Sequence, residues 1–191
     1  MKCTSCKIGR LQPGYLDNLF PAHTCDHCGG HYVMLDDYLK WLEHTDDEII
    51  NQAQANSHEL ELVQEQATET KRALICPMHG NIMLKYRISK DTSHRIDINP
   101  ATNGIWLDKG EWSLIKSHGL AGCLNKIFTA PWQKDIKEQS AAEVLAGNYL
   151  EQFGEQDYQK IKEIRKWLDD NPKRNLLVAY LAAKEPYSAI R

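Results

Sequence analysis

The sequence lacks long apolar runs and strong charge of either sign. It contains no stretch of eighteen or more apolar residues, so we expect no membrane-spanning helix. No apolar leader follows Met1, which predicts a cytoplasmic protein rather than a secreted one. The formal net charge is −3, which gives no general attraction to phosphate backbones and argues mildly against a generic nucleic-acid binder.

The sequence also lacks the short motifs that mark common enzyme classes. It has no G-x-G-x-x-G, no P-loop, no H-E-x-x-H and no nucleophile elbow. We therefore expect a protein that is not an enzyme and that has no small-molecule substrate.

Four of the six cysteines form two closely spaced pairs. The first pair is followed by eighteen intervening residues and then by the second pair, and the residues concerned are Cys3, Cys6, Cys25 and Cys28. This C-x2-C…C-x2-C spacing is typical of a tetrahedral site in which four thiolates bind zinc at about 2.3 Å. We predict one structural zinc ion here. Iron in an S4 site, disulfides and a redox C-x-x-C pair are the alternatives.

Three histidines lie around the second cysteine pair, namely His23, His27 and His31. Because four thiolates already complete a tetrahedron, we interpret these histidines as surface groups or as neighbours of the ligands. The alternative is that one of them replaces a cysteine as a ligand.

A second segment repeats the cysteine region without all of its ligands. "CTSCKIG" at 3–9 aligns with "CPMHGNI" at 76–82, and "HTCDHCGGHYV" at 23–33 aligns with "DINPATNGIWL" at 97–107. Cys76 and His79 take the places of the first cysteine pair, and Asn99 and Thr102 take those of the second. Two good donors do not complete a structural tetrahedron, and only His94 or Asp97 are plausible substitutes.

The second segment therefore needs another source of stability. Apolar residues could pack between its strands, and burying each contributes about 1.5–3 kcal/mol. The predicted core residues are Ile75, Met83, Tyr86, Ile88, Ile96, Ile98, Ile105 and Trp106.

The two segments resemble the bacterial zinc-ribbon family that is related to the transcription factor IIB-type zinc finger. In the second segment the similarity lies in "NPATNGIWLDKGEW", and in the first it lies in the four cysteines and Gly30. The resemblance covers roughly residues 1–118. It implies one intact zinc ribbon that binds zinc and one degenerate ribbon.

The W-L-D-x-G-E ending also has a local interpretation. Asp108 and Glu111 have the spacing of a capping box. This predicts a helix over 109–118 that ends at Gly119 and directs Trp112 and Ile115 toward the core. In the first segment, Asp36 or Asp37 could begin a similar helix. The functional alternative for Asp108 and Glu111 is an acid/base pair.

The remaining residues predict helices. We expect a helical linker at 44–72, and then three helices in the tail: after Pro131, over 155–169, and after Pro172. The predicted inward residues of the tail are Ile136, Val144, Leu145, Tyr149, Leu150, Tyr158, Ile161, Ile164, Trp167, Leu168, Leu176, Leu177, Tyr180 and Leu181. These helices could form a bundle, dock on the ribbons or pair with a second copy. Cys123 is expected to be buried.

Together these features predict an α+β protein with four segments. They are a zinc ribbon with a short helix at 1–43, a helical linker at 44–72, a degenerate ribbon-like module at 73–119 and a helical region at 120–191. We predict a non-catalytic zinc-binding protein that acts as an interaction or adaptor module. Its helical tail would bind a protein partner or a second copy of the chain. The alternative is a transcription-associated nucleic-acid binder that uses Lys2, Lys7, Arg10, Tyr15 and Phe20.

Overall fold

A computed structural model of the protein describes residues 1–46 and 66–187. The chain divides into two compact units, Met1–Gln139 and Ser140–Arg191. The strands are β1 (Leu11–Leu16), β2 (Phe20–Cys25), β3 (His31–Met34), β4 (Leu84–Arg87), β5 (Arg95–Asn99) and β6 (Gly104–Leu107). The described helices are α1 (Leu35–Glu43), α2 (Glu111–Ser117), a 3-10 turn (Ala121–Cys123), α3 (Leu124–Ile127), α4 (Ala130–Phe153), α5 (Glu155–Asp169) and α6 (Arg174–Ala182). The predicted α+β class is confirmed.

The strands of the first unit form one continuous antiparallel sheet. Its order is β1-β2-β3-β6-β5-β4, so β3 pairs with β6 at the centre, where Tyr32 lies opposite Trp106. Two separate ribbon-like modules are therefore not confirmed, because their strands share a sheet. The physical reason is that β3 and β6 would otherwise each leave unpaired backbone groups along an open edge. The four-segment division itself stays a prediction.

The two faces of the sheet carry different clusters of buried residues. On one face, Ile98, Ile105 and Val33 belong to a large apolar core that the helices α1, α2 and α3 also enter. On the other face, Tyr32 and Trp106 belong to a smaller cluster that includes the cysteines. Successive side chains of a strand point to opposite faces of the sheet, so neighbouring residues enter different clusters. The cysteine-containing turns of both halves lie on the face that carries Tyr32 and Trp106.

The large core contains an aromatic cluster around Phe20. The Phe20 ring contacts Tyr38 at 5.7 Å, Trp41 at 5.4 Å and Trp112 at 5.4 Å between ring centroids. Phe20 is only 1% exposed, so β2 and the two helices α1 and α2 are joined through its side chain.

Both predicted helix starts differ in detail from the structure. Asp36 and Asp37 lie in the first turn of α1, but Met34 is the N-cap and no side chain caps the helix. The second helix begins at Glu111 rather than at residue 109, after Gly110 at φ +86°. Half of the capping box forms, because the amide of Asp108 donates to Glu111 Oε2 at 2.8 Å. The Asp108 carboxylate has other partners, as described below.

Two predicted core positions are wrong, and so is part of the predicted linker helix. Ile75 is 40% exposed because its neighbours Leu74 and Cys76 point inward, and adjacent residues of an extended chain face opposite sides. Cys123 is only half-buried. Residues 47–65 of the linker lie outside the described residues, and residues 67–72 are not helical. Instead Thr68 donates its amide to the Lys109 carbonyl at 2.8 Å.

The tail helices form near the predicted places, but most of the predicted inward residues are exposed. Among residues 140–187, Leu168 alone is buried. Ile136, in the first unit, is buried as expected at 7% exposure. The four predicted inward residues from Val144 to Leu150 are exposed because the described residues of this unit bring too few side chains over them. Within the described part of the chain, no helix combines the length and the apolar character that a membrane span needs.

The buried side chain of Tyr38 connects α1 to the residues that follow α2, and this connection can be tested. Tyr38 is fully buried, its hydroxyl donates to the Ala121 carbonyl at 2.9 Å, and it accepts from the Leu124 amide at 3.2 Å. We expect Tyr38→Phe to lower the free energy of unfolding by about 1–3 kcal/mol, because two buried backbone groups lose their partner. Urea unfolding measures this. Tyr15→Phe, at a residue that is 65% exposed, is the control, and equal effects of the two changes would contradict the prediction.

Candidate metal centre

The four cysteines of the N-terminal region come together at one point. Their sulfur atoms all lie within 4.8 Å of one another, with Cys3 Sγ 3.6 Å from Cys28 Sγ and Cys6 Sγ 3.7 Å from Cys25 Sγ. A regular tetrahedron with sulfurs about 2.3 Å from its centre has edges of about 3.8 Å. A disulfide would need about 2.05 Å. The four thiols are therefore positioned to bind one metal ion and are not cross-linked.

Tight turns hold the sulfurs in place through backbone amides. In the first turn, the amides of Cys6 and Gly9 approach Cys3 Sγ and Cys6 Sγ at 3.4 and 3.3 Å. In the second turn, the amides of His27 and Cys28 approach Cys25 Sγ at 3.4 and 3.5 Å. Amide donors stabilise the thiolate form that a metal requires.

Glycine is required where the two turns meet. A Cβ at Gly9 would clash with Cys25 Sγ and with the turn that follows it. The absence of a side chain at this position lets the first turn approach the second closely enough for their sulfurs to share one ion.

Burial and hydrogen bonding act in opposite directions on the thiols. Burial raises the pKa of Cys3 and of Cys28. Burial also acts to raise the pKa of Cys6, but hydrogen bonds from the amides of Gly9 and Ile8 and from the side chains of Cys3 and Cys25 together outweigh it and lower that pKa to about 6. A divalent cation would remove the mutual repulsion of the thiolates, and four protein ligands would leave no open position, as in a structural zinc site.

The three nearby histidines are not part of the four-sulfur cluster. His31 lies on β3, where its Nδ1 is 2.9 Å from Thr24 Oγ1, and burial lowers its pKa. His27 is exposed and His23 is half-buried. The four-cysteine prediction therefore does not need a histidine ligand.

The second half of the sheet repeats the turn geometry with different side chains. The amide of Gly80 donates to the Cys76 carbonyl at 2.9 Å, and the amide of Asn103 donates to the Asn99 carbonyl at 2.8 Å. In the first half, Gly29 donates to the Cys25 carbonyl at 3.1 Å in the same way. Gly29 and Asn103 both have a positive φ, at 72° and 57°.

Asn99 takes over the local role of the cysteine that it replaces. Its Oδ1 accepts a hydrogen bond from the amide of Ala101 at 3.1 Å, two residues later. Cys25 Sγ accepts from the amide of His27 at the same spacing. Cys76 Sγ lies 3.6 Å from His79 Nδ1, so these two residues keep a ligand-like spacing. The second turn keeps its shape with an amide in place of a thiolate.

Tyr32 reaches from the first half of the sheet into this second site. Its hydroxyl oxygen lies 3.2 Å from Cys76 Sγ, and a Cβ at Gly104 would clash with that hydroxyl. The relation is reciprocal, because a Cβ at Gly30 would clash with the Trp106 ring. Each central strand thus places an aromatic ring over a glycine of the other half. Sequence reasoning missed Tyr32, although its alignment with Trp106 was a signal that could have found it.

The environment of Cys76 favours its thiolate. Burial acts to raise its pKa, but the polar groups of Tyr32, Asn99 and His79 outweigh this and lower the pKa to about 7. Burial raises the pKa of Tyr32, and Cys76 raises it further. The hydroxyl therefore stays protonated and donates to the sulfur.

The two proposed substitute ligands are engaged elsewhere. His94 Nδ1 lies 3.7 Å from Glu111 Oε1, and Lys85 Nζ lies 2.8 Å from Asp97 Oδ2. Within the described residues, the four-cysteine cluster is the one group of three or more side chains placed to hold a metal ion.

Residues of the W-L-D-x-G-E sequence connect the end of β6 to residues 67–70, which precede the second half of the sheet. Asp108 Oδ1 accepts from Trp106 Nε1 at 2.8 Å, and Asp108 Oδ2 accepts the amide of Thr70 at 2.5 Å. At Gly110 a Cβ would lie only 2.8 Å from Ala67 Cα, so this position also needs glycine. Burial raises the pKa of Glu111 to about 7. These contacts hold the end of β6 against residues 67–70, and the acid/base alternative for Asp108 and Glu111 stays a prediction.

Comparison with known proteins supports the zinc-ribbon interpretation of the N-terminal region. Residues 2–44 match the family model described as transcription factor zinc-finger. The match includes all four cysteines, β1 to β3 and α1, and it confirms the predicted resemblance over that range. It does not extend to residues 73–119, so a degenerate second ribbon stays a prediction. Searches of curated proteins and of solved structures gave no match.

One prediction for this site concerns the metal ligands. We expect Cys25→Ser/Cys28→Ser to lose one equivalent of zinc and to unfold β1 to β3, because apparent zinc-binding energies of about 10–16 kcal/mol are lost from the fold. The helices of residues 140–187 should persist by circular dichroism. Elemental analysis measures the zinc. Cys123→Ser is the control because Cys123 lies outside the cluster, and full zinc content in the double variant would refute the assignment.

A further prediction for this site concerns the Tyr32 hydroxyl. We expect Tyr32→Phe to raise the pKa of Cys76 above about 7, because the thiolate loses a hydrogen-bond donor. The alkylation rate of Cys76, followed by peptide mass spectrometry from pH 5 to 9, should shift to higher pH. Cys123 in the same samples is the internal reference. An unchanged Cys76 profile would show that the hydroxyl does not stabilise the thiolate.

Proposed function

We propose that this chain is a non-catalytic zinc-binding protein that acts as an interaction or adaptor module for a protein partner. A four-thiolate site supports this, because it offers no open position for water or substrate. The proposal places the protein in the cytoplasm, where the thiols stay reduced and available to the metal.

The low burial of the second unit carries this proposal. Leu168 is the only buried residue among residues 140–187. Thirteen large apolar side chains there are exposed: Val144, Leu145, Tyr149, Leu150, Phe153, Ile161, Ile164, Trp167, Leu176, Val178, Tyr180, Leu181 and Tyr187. Isolated helices of about 12–15 residues are marginal in water, and most helical stability comes from packing of an apolar face. Exposed apolar surface of this extent is typical of a protein-binding region.

Affinity capture from a lysate tests the proposal with matched variants of the full chain. We expect wild type to capture a defined set of proteins, and Trp167→Glu/Leu181→Glu to lose them, because two charges enter an apolar contact surface. Ile8→Glu/Tyr15→Glu is the control, since both residues are exposed apolar positions of the zinc-ribbon region. Loss of capture by the control instead would assign binding to the ribbon. Equal capture by all three would contradict a role of the tail.

The alternative function is nucleic-acid binding. Lys2, Lys7 and Arg10 are exposed around the first cysteine turn, and Tyr15 is 65% exposed, which favours this alternative. Phe20 does not contribute, because it is 1% exposed and packs in the aromatic cluster. Nuclease treatment of the lysate separates the two functions: capture through nucleic acid is lost, whereas capture of a protein partner remains. Affinity that falls steeply with salt would support the nucleic-acid alternative.

A further inference from the structure

Two buried polar atoms in the second half of the sheet have no hydrogen-bond partner of ordinary geometry among the described residues. They are Asn99 Nδ2 and Thr102 Oγ1, and they belong to the two residues that replace the second cysteine pair. Asn99 is 0% exposed. Because buried polar atoms in native proteins are nearly always paired, two unpaired ones in a single turn point to a group that they bind.

Both atoms belong to the surroundings of the Cys76 sulfur. Burial acts to raise the pKa of Cys76, and the Asn99 side chain is among the groups that act against it. Burial also raises the pKa of Tyr32, and there the Thr102 hydroxyl acts against it. The Tyr32 hydroxyl oxygen is in turn 3.2 Å from Cys76 Sγ. Cys76, Tyr32, Asn99 and Thr102 therefore form one polar cluster around a thiol.

The groups that act on Cys76 Sγ are hydrogen-bond donors, and this decides what can bind beside it. Asn99 Oδ1 accepts the amide of Ala101 at 3.1 Å, so the opposite end of the Asn99 amide, which can only donate, is left for the site. The Tyr32 hydroxyl also donates to the sulfur. Donors of this kind would oppose a cation, whereas an oxygen atom bonded to sulfur would accept from them.

The Cys76 sulfur lies one turn below the surface. Cys76 is 2% exposed, but the residues that follow it, Met78, His79 and Gly80, are exposed. His79 Nδ1 is 3.6 Å from the sulfur. A reagent of two oxygen atoms has only this turn to pass. At its pKa of about 7 the thiol is about half thiolate at neutral pH, against about 3% for an ordinary cysteine.

We propose that Cys76 is a site of reversible oxidation by hydroperoxides, and that Asn99 and Thr102 hold the oxygen of the sulfenic acid that forms. The thiolate attacks one oxygen of hydrogen peroxide, so an S–O bond forms and the O–O bond breaks. The sulfur loses two electrons and the peroxide gains them. The departing hydroxide takes a proton from solvent. Asn99 Nδ2 and Thr102 Oγ1 donate to the peroxide oxygens and stabilise the charge that develops on them.

This inference goes beyond the proposed function, because neither the zinc ion nor the helical tail takes part in the oxidation. The four zinc ligands and Cys76 have different chemistry in the same sheet. Thiolates bound to zinc are held by the metal, whereas the Cys76 thiolate is held by hydrogen bonds alone and stays able to react.

Peroxide treatment of the full zinc-loaded chain tests the modification. After timed exposure to hydrogen peroxide, the remaining reaction of each cysteine with iodoacetamide is measured by peptide mass spectrometry. We expect Cys76 to lose this reaction at least about tenfold faster than Cys123, to carry one added oxygen atom and to recover with dithiothreitol, while zinc is retained. Equal rates at the two cysteines, or oxidation of the zinc ligands before Cys76, would overturn the proposal.

Variants of Thr102 separate a role in holding oxygen from a role in folding. We expect Thr102→Val to slow the oxidation of Cys76 at least about fivefold and to leave its rate with iodoacetamide within about twofold, because a donor to the oxygen is lost while the thiolate remains. Thr102→Ser keeps the hydroxyl and should match wild type. A purely structural role predicts no change, since Thr102 Oγ1 has no partner among the described residues to lose. Oxidation at the wild-type rate, or equal slowing with both reagents, contradicts the assignment.

Asn99→Asp is the matching variant on the other side of the sulfur. It keeps an oxygen that accepts the amide of Ala101, so the turn is retained, but it replaces the Nδ2 donor with an acceptor. The new charge also changes the thiolate population of Cys76, and the ratio of the peroxide rate to the iodoacetamide rate cancels that change. We expect this ratio to fall at least about fivefold. A ratio equal to that of wild type would show that Asn99 does not hold the oxygen.

Discussion

The pairing of β3 with β6 holds the first unit together. Each strand is the inner edge of a three-stranded half, and backbone hydrogen bonding between them makes one sheet from two similar sequences. The pairing sets Tyr32 opposite Trp106, and each ring crosses to a glycine of the other half. Helices α1 and α2 cover the other face through a common apolar core. Disturbing this pairing would affect the metal-binding turns of the first half and the Cys76 turn of the second half at once.

The two halves hold their paired turns in different ways. The first half presents four sulfurs with tetrahedral spacing, for which zinc can supply about 10–16 kcal/mol. The second half presents Cys76 with a hydrogen bond from Tyr32, and a bond to a charged group contributes about 1.5–3 kcal/mol. That contribution is too small to replace a metal. The second half therefore depends on the shared sheet and on the apolar core below it.

The two units of the chain differ in where their stability comes from. In the first unit, buried residues such as Leu114, Ile115 and Leu124 are fully covered by neighbouring elements. In the second, the helices form but bury little more than Leu168. The first unit suits a metal-supported scaffold, and the exposed faces of the second suit contacts with another polypeptide. The proposed adaptor role combines these two properties.

The sequence by itself determined the features that depend on spacing along the chain. Cysteine spacing predicted the metal cluster, because two C-x2-C turns with eighteen residues between them can meet across a short hairpin. Helical periodicity and the prolines at 131 and 172 placed the tail helices. These signals are local, so they do not depend on how distant segments meet.

Only the tertiary structure decided how distant segments meet. The pairing of β3 with β6 joins residues that are at least seventy positions apart in the sequence, and no local pattern specifies it. The role of Tyr32 at Cys76 and the inward turn of Phe20 follow from that pairing and from the helices that cover it. The exposure of the apolar faces of the tail helices could not be predicted either, because periodicity shows that a helix has an apolar face but not what covers it.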